Sequence, residues 1–182
     1  MNLEETSLPG VVMISPTVHA DARGYFMETW HARRFAENGI TEDFVQDNFS
    51  SSAKSTLRGL HYQIEQPQGK LVRVVRGEVF DVAVDLRRSS PHFGRWAGAT
   101  LSAENRQELW IPPGFGHGFL VISDVADVEY KCSDYYSPEH DRAICWNDPD
   151  LGIEWPLDDG EEPLLSVKDT NAPLFSAAET YP

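Results

Sequence analysis

Cysteine is scarce in this chain of 182 residues, occurring only as Cys132 and Cys145. Two are too few for a disulfide framework or a four-cysteine zinc site, so both are expected to be buried free thiols. Basic charge is scarce as well. Fifteen lysines and arginines stand against 29 aspartates and glutamates, a formal net charge of −14, which opposes nonspecific attraction to nucleic acid or anionic membrane. Any anionic ligand must therefore meet a local basic cluster. No apolar run approaches the roughly 20 residues that span a bilayer. Glu4 and Glu5 stand where a secretory leader would carry basic charge, and Pro9 and Pro16 bracket the apolar "GVVMIS". The expectation is a soluble, cytoplasmic protein with neither nucleic acid nor membrane as partner.

Helix signals are few. "TWHARRFAENG" offers Thr29 as an N-cap, Trp30, Phe35 and Ala36 as an inner face, and Asn38-Gly39 as a stop. Elsewhere the period is two. In "VFDVAVDL", Phe80, Val82, Val84 and Leu86 share one face and Asp81, Ala83 and Asp85 the other. "KLVRVV" precedes it, and "RGE" at 76–78 is short enough for a hairpin turn. Further strands are expected in "GVVMIS", "DFVQDNFS", "GLHYQI", "GRWAGATLS", "QELWIP", "GFLVIS" and "VEYKCSDYY", separated by Gly, Pro, Asn and Ser. Many short strands at close spacing predict an all-β antiparallel sandwich or barrel, and 41% hydrophobic content suffices for one sizeable core. A single domain over residues 1–182 is the expectation. After about residue 147 the pattern loosens into acidic, Pro- and Gly-containing loops that read as wrapping a finished barrel, with "LDDGEE" a solvated turn.

Within "LRGLHYQ", residues 57–63, His61 has three possible uses: metal ligand, general base or hydrogen-bonded core residue. The metal-binding cupins carry a His-x-His pair with a downstream Glu, and a second motif Pro-x-Gly-x-x-His. Pro112, Gly114 and His117 supply the second motif, but Gln63 stands where the second imidazole of the first belongs. An amide is a poor ligand for zinc, iron or copper. As a base, His61 would benefit from a neighbouring cation, which keeps an imidazole neutral. Lys70 would lie beside it if the strands joined by "EQPQG" paired as a hairpin. Strand alternation puts Arg58 on the face opposite His61 unless the chain bends at Gly59. Taken alone, Lys70 and Arg58 also read as a charged face in water. His117 reads equally as a ligand-facing or a structural turn histidine. Tyr130 and Tyr136 share strand parity, as core or as a proton donor and a stacking ring. "SVKD" adds Lys168 and Asp169, a carboxylate that either orients a histidine or is exposed.

Jointly the segments "DARGYFMETW", "QDNFSSSAKSTLRGLHYQ", "QGKLVRVVRGEVFDVAVDLRRSSPHFGRW", "LWIPPGFGHGF", "EYKCSDYYSPEHDRAICWNDPDLGIEWP" and "LSVKD" resemble the dTDP-4-dehydrorhamnose 3,5-epimerase family. The resemblance covers nearly the whole chain, in the family's order. It implies a cupin-like jelly-roll barrel, a homodimer, and catalysis without metal or other cofactor. The implied reaction inverts carbons 3 and 5 of dTDP-4-keto-6-deoxy-glucose. By this resemblance His61 is the general base, Asp169 its dyad partner, Tyr130 the general acid, and Lys70 lies near the keto group. It also implies substrate-binding positions at Arg23, Glu28, Gln46, Asn48, Arg58, His117, Asp141 and Lys168, with Phe26 and Tyr136 stacking on the thymine.

Three positions depart from the family pattern: Gly116 where alanine is common, Ser55 where glycine is frequent, and Asp141 where glutamate is usual. Relatives that invert only one carbon also resemble this pattern, and a metal-dependent cupin enzyme is the alternative from another class.

Overall fold

The computed structural model describes residues 1–158 and 160–182. Its strands are β1 (Asn2–Glu5), β2 (Val12–Ser15), β3 (Val18–Asp21), β4 (Gly24–Met27), β5 (Gln46–Ala53), β6 (Leu57–Gln63) and β7 (Lys70–Arg76). They continue as β8 (Glu78–Asp85), β9 (Trp96–Ser102), β10 (Glu108–Ile111), β11 (Phe115–Val121), β12 (Val125–Cys132) and β13 (Asp141–Ala143). Two short helices, α1 (Ala32–Glu37) and α2 (Val167–Thr170), complete it with one 3-10 turn.

Two antiparallel sheets face each other. The first runs β1-β2-β10-β7-β12-β5, the second β13-β6-β11-β8-β9, and β3-β4 form a separate hairpin. From β5 to β8 the chain changes sheet at every step. Neither expected hairpin exists for that reason: "EQPQG" and "RGE" each carry the chain from one sheet to the other. Gly77 makes the second crossing at φ +75, where an added Cβ would lie 2.1 Å from the Val125 carbonyl oxygen.

The core between the sheets takes Val72, Val74, Leu109, Ile111 and Val128 from the first sheet and Val79, Ala83, Leu101, Phe119 and Val121 from the second. Each large aliphatic buried here contributes roughly 1.5–3 kcal/mol. The second sheet is covered on its back as well. There Val82, Val84, Leu86, Leu60 and Tyr62 pack against Ile144, Leu151, Ala178, Trp155, Phe175 and Tyr181, so the late loops do wrap the barrel. Both faces of β8 are thereby buried, including Asp81 and Asp85. Asp85 is satisfied by Arg87 at 2.7 Å and Ser90 at 2.6 Å.

Local details differ from expectation. The first helix is capped by His31, whose ring accepts from the Arg34 amide at 3.5 Å, and not by Thr29. Trp30 stays outside the helix and packs on Phe35 and Phe44, while Ala36 is exposed. Cys132 is buried, but Cys145 is only half-buried, with its thiol on Asn147. In the acidic turn, Asp158 and Gly160 are exposed and Glu161 meets Ser55; Asp159 lies outside the described residues. Ser55 adopts φ 61, left-handed backbone that favours glycine, which accounts physically for glycine being frequent at that position.

Candidate active site

Between the open edges of the two sheets lie two connected chambers. The outer holds about 400 Å³ and the inner about 130 Å³; His61, Lys70 and Tyr130 line both. His61 stands on β6 in the second sheet, whereas Lys70 on β7 and Tyr130 on β12 stand in the first. Lys70 thus approaches His61 across the sandwich, not along a hairpin.

His61 Nε2 lies 2.5 Å from Asp169 Oδ1. Asp169 is 2% exposed. Burial pushes its carboxyl pKa up, but the contacts with His61 and Ser166 outweigh it and hold the group below its ordinary value. It is therefore an anion at neutral pH, able to fix the imidazole through Nε2 and leave Nδ1 free to take a proton. Sequence reasoning read this region as loop. The capping pattern Ser166-x-x-Asp169, with the Ser166 hydroxyl accepting the Asp169 amide at 3.1 Å, is the signal that announces α2.

Lys70 is buried, and burial pushes its pKa down against the opposing influence of Cys132, Asp81 and Asp141. Its ammonium lies 6.0 Å from the centre of the Tyr130 ring. Burial pushes the Tyr130 phenol up, Cys132 adds to this and Arg58 opposes it. Tyr130 is accordingly a neutral O–H donor at neutral pH. His117, buried on β11, meets both oxygens of Asp81 at 3.0 and 3.1 Å. Burial pushes its pKa down and Asp81 opposes the shift. Asp81 was not singled out from sequence, because one acid on a period-two strand carries no sign of what lies beside it.

Arg58 also lines the inner chamber, with its Nε donating to Ser52 at 3.0 Å. The bend at Gly59 brings it there. His117 pairs with His61 and Phe119 with Arg58, so the register shifts by one residue at a bulge. Gly59 has φ +143, and an added Cβ would lie 2.5 Å from Gly118 Cα.

At the rim, Gln46 and Asn48 face inward from β5, with Gln46 donating to Asn48 at 3.0 Å. Tyr136 reaches the outer chamber from the loop after β12, which ends at Cys132; shared strand parity with Tyr130 is not the cause. The loop is held by Gln63. Its amide donates to the Gln66 and Tyr135 carbonyls at 2.8 and 3.2 Å and accepts from the Ser137 amide at 2.8 Å. Asp141 accepts from Lys168 at 2.6 Å and from the Tyr136 hydroxyl at 3.1 Å. Arg58, Lys70 and Lys168 form the basic cluster that an anionic ligand requires in so acidic a protein.

Three predicted residues lie elsewhere. Arg23 and Phe26 line a separate depression of about 310 Å³ on the β3-β4 hairpin, where Arg23 pairs with Asp21 at 2.6 Å. Glu28 pairs with Arg34 at 2.8 Å. Sequence reasoning also passed over Ser50 and Phe119, which line the inner chamber.

Among the described residues, no three His, Cys, Asp or Glu side chains gather as a metal site. The arrangement is a cupin-like barrel with a carboxylate-backed imidazole on one wall, a phenol and the buried Lys70 on the other, and the exposed Arg58 and Lys168 beside them, a set suited to acid–base chemistry on an anionic substrate. A model of the family described as dTDP-4-dehydrorhamnose 3,5-epimerase matches residues 5–177. A Pseudomonas aeruginosa dTDP-4-dehydrorhamnose 3,5-epimerase is 54% identical over 183 residues, covering 100% of both chains. A Neisseria gonorrhoeae protein of the same name is 57% identical over 98% of this chain, which spans 54% of that relative's length. The crystal structure of a Legionella pneumophila dTDP-6-deoxy-D-glucose-3,5-epimerase in complex with dTDP-4-keto-L-rhamnose superposes with a TM-score of 0.94. It is 52% identical and covers 98% of this chain and 94% of that one. The chain belongs to the dTDP-4-dehydrorhamnose 3,5-epimerase family.

Proposed function

We propose that this protein inverts carbons 3 and 5 of dTDP-4-keto-6-deoxy-glucose, giving dTDP-4-keto-rhamnose. The observation that carries the reading is that His61 and Tyr130 stand on opposite walls of one cavity, with Lys70 beside Tyr130 on the wall facing His61. The C4 ketone acidifies the protons on C3 and C5. His61 removes such a proton through Nδ1, and Asp169 stabilises the imidazolium that forms. Lys70 and Arg58, which line the inner chamber, stabilise the enolate oxygen. Tyr130 returns a proton to the opposite face. Removal and return of a proton leave the oxidation state unchanged, so the cycle balances without a redox cofactor.

Gln46, Asn48, His117, Asp141 and Lys168 bind the sugar and diphosphate, and Tyr136 stacks on the thymine; their support is their place around the two chambers. The working unit is a homodimer of chains that each form one domain over 1–182. Arg23, Phe26 and Glu28 stand apart from their own chain's cavity on or beside a hairpin whose β3 is wholly exposed, with Phe26 69% exposed. An isolated two-stranded hairpin is marginally stable in water, so these residues are read as completing the site of a second copy. Two free cysteines support a cytoplasmic setting; no helix among the described residues is long and apolar enough to cross a membrane.

The test is incubation with substrate in heavy water, followed by NMR of the ring protons. Deuterium at both carbons is expected, and His61→Ala should abolish it. Exchange at one carbon only would reduce the activity to a single inversion, and no exchange at either would overturn the reading.

A further inference from the structure

Asp169 is held at both carboxylate oxygens, and only one of them touches His61. Oδ1 meets His61 Nε2 at 2.5 Å, while Oδ2 accepts from the Ser166 hydroxyl at 2.7 Å. We propose that Ser166 is a positioning residue for the base, the third member of a Ser166–Asp169–His61 relay that fixes the plane of the carboxylate and through it the imidazole. This rests on the reading of His61 as the base.

A carboxylate held at one oxygen can swivel about its Cβ–Cγ bond; one held at both cannot. The helix carrying Asp169 spans only Val167–Thr170, too short to be rigid by itself. The Ser166 hydroxyl compensates by making two bonds to the same residue. It donates to Oδ2 and accepts the Asp169 backbone amide at 3.1 Å, as a hydroxyl with one donor and two acceptor lone pairs can. Side chain and backbone of Asp169 are thus tied to one atom. Asp169 is 2% exposed whereas Ser166 is exposed, so the tie rests on the hydroxyl's two bonds and not on exclusion of water.

The donor also tunes the charge. The charged groups that bear on Asp169 are His61 from β6 and Lys168 from its own helix, and Lys168 is also engaged by Asp141 at 2.6 Å. Ser166 draws negative charge toward Oδ2. Without it more charge resides on Oδ1, where it stabilises the imidazolium and keeps the base protonated to higher pH.

Ser166→Ala is expected to lower kcat about tenfold with KM within about twofold, and to move the acid limb of the pH–kcat profile to higher pH. Ser166→Thr, which keeps the hydroxyl, should restore both. Glycine is well accepted at N-caps, so Ser166→Gly removes the hydroxyl with the least disturbance of α2 and serves if the alanine variant does not fold. A hydroxyl-free variant with wild-type kcat and an unmoved acid limb, or with lost thermal stability alone, overturns the relay. His61→Ala measured alongside separates the two levels: exchange surviving there defeats the site reading itself, whereas abolished exchange beside an unaffected Ser166 variant defeats only the relay.

Discussion

Arg58 and His61 reach the inner chamber from the same side of β6, because Gly59 adds one residue to the strand between them relative to β11. An uninterrupted strand would turn one of them away. The bulge therefore couples backbone geometry to chemistry at a single position.

Gly59→Ala places a methyl 2.5 Å from Gly118 Cα and 3.1 Å from the His117 carbonyl oxygen, at φ +143. Both neighbours are backbone and neither can swing away. The expected loss is at least about 2 kcal/mol of stability, with activity falling further as Arg58 and His61 lose their common side. Denaturant unfolding and deuterium exchange measure the two effects, and a wild-type midpoint together with a wild-type rate would refute the role given to the bulge.

Tyr130→Phe keeps the ring in place and removes the hydroxyl that the proposed mechanism uses to return the proton. Wash-in of deuterium should persist in part while inversion slows by about 10²–10⁴-fold. NMR follows both in one sample, and inversion at the normal rate would assign the acid to another group.

Gln63→Ala removes two hydrogen bonds to the segment that carries Tyr136, at the Tyr135 carbonyl and the Ser137 amide, and one to the Gln66 carbonyl; none of the three involves His61 or Lys70. The expected signature is a KM raised by about tenfold with kcat changed by less than threefold, since each lost bond is worth about 1 kcal/mol. A fall confined to kcat would show that Gln63 acts on the chemistry instead.

Glu108 is 1% exposed on the outer side of the first sheet, and neither carboxylate oxygen has a hydrogen-bond partner. Burial pushes its pKa up to about 8; Arg73 and Lys131 oppose the shift and Glu129 adds to it. The folded protein therefore holds a proton that the unfolded chain releases near its ordinary value of 4.5. Fewer protons on the unfolded chain mean that stability falls as pH rises from about 4.5 to about 8, and is level with respect to this group outside that window. Glu108→Gln should match the native protein at pH 4 and exceed it by several kcal/mol at pH 8, by unfolding at the two pH values. Equal stability at both would place the carboxyl in contact with water.

The strands were legible because period two marks a half-buried sheet, and the late wrap because its composition breaks that period. The crossings at "RGE" and "EQPQG" were not. A short link reads the same whether the next strand lies beside the last or opposite it. His61, Lys70 and Tyr130 were recognisable through the motifs that surround them. Asp81 and Ser166 were not, since their importance lies in a carboxylate or hydroxyl placed by tertiary contact. Arg23, Phe26 and Glu28 show the reverse case: the motif names them, and the single chain leaves them outside its own cavity.

The wrap over the second sheet has one more consequence, in time. Among the described residues all thirteen strands end by Ala143, yet the carboxylate that backs His61 arrives only with α2. During synthesis the barrel's walls can assemble around His61, Lys70 and Tyr130 before Asp169 has left the ribosome. The proposed base therefore receives its charged partner only from the same late segment that seals the back of the second sheet.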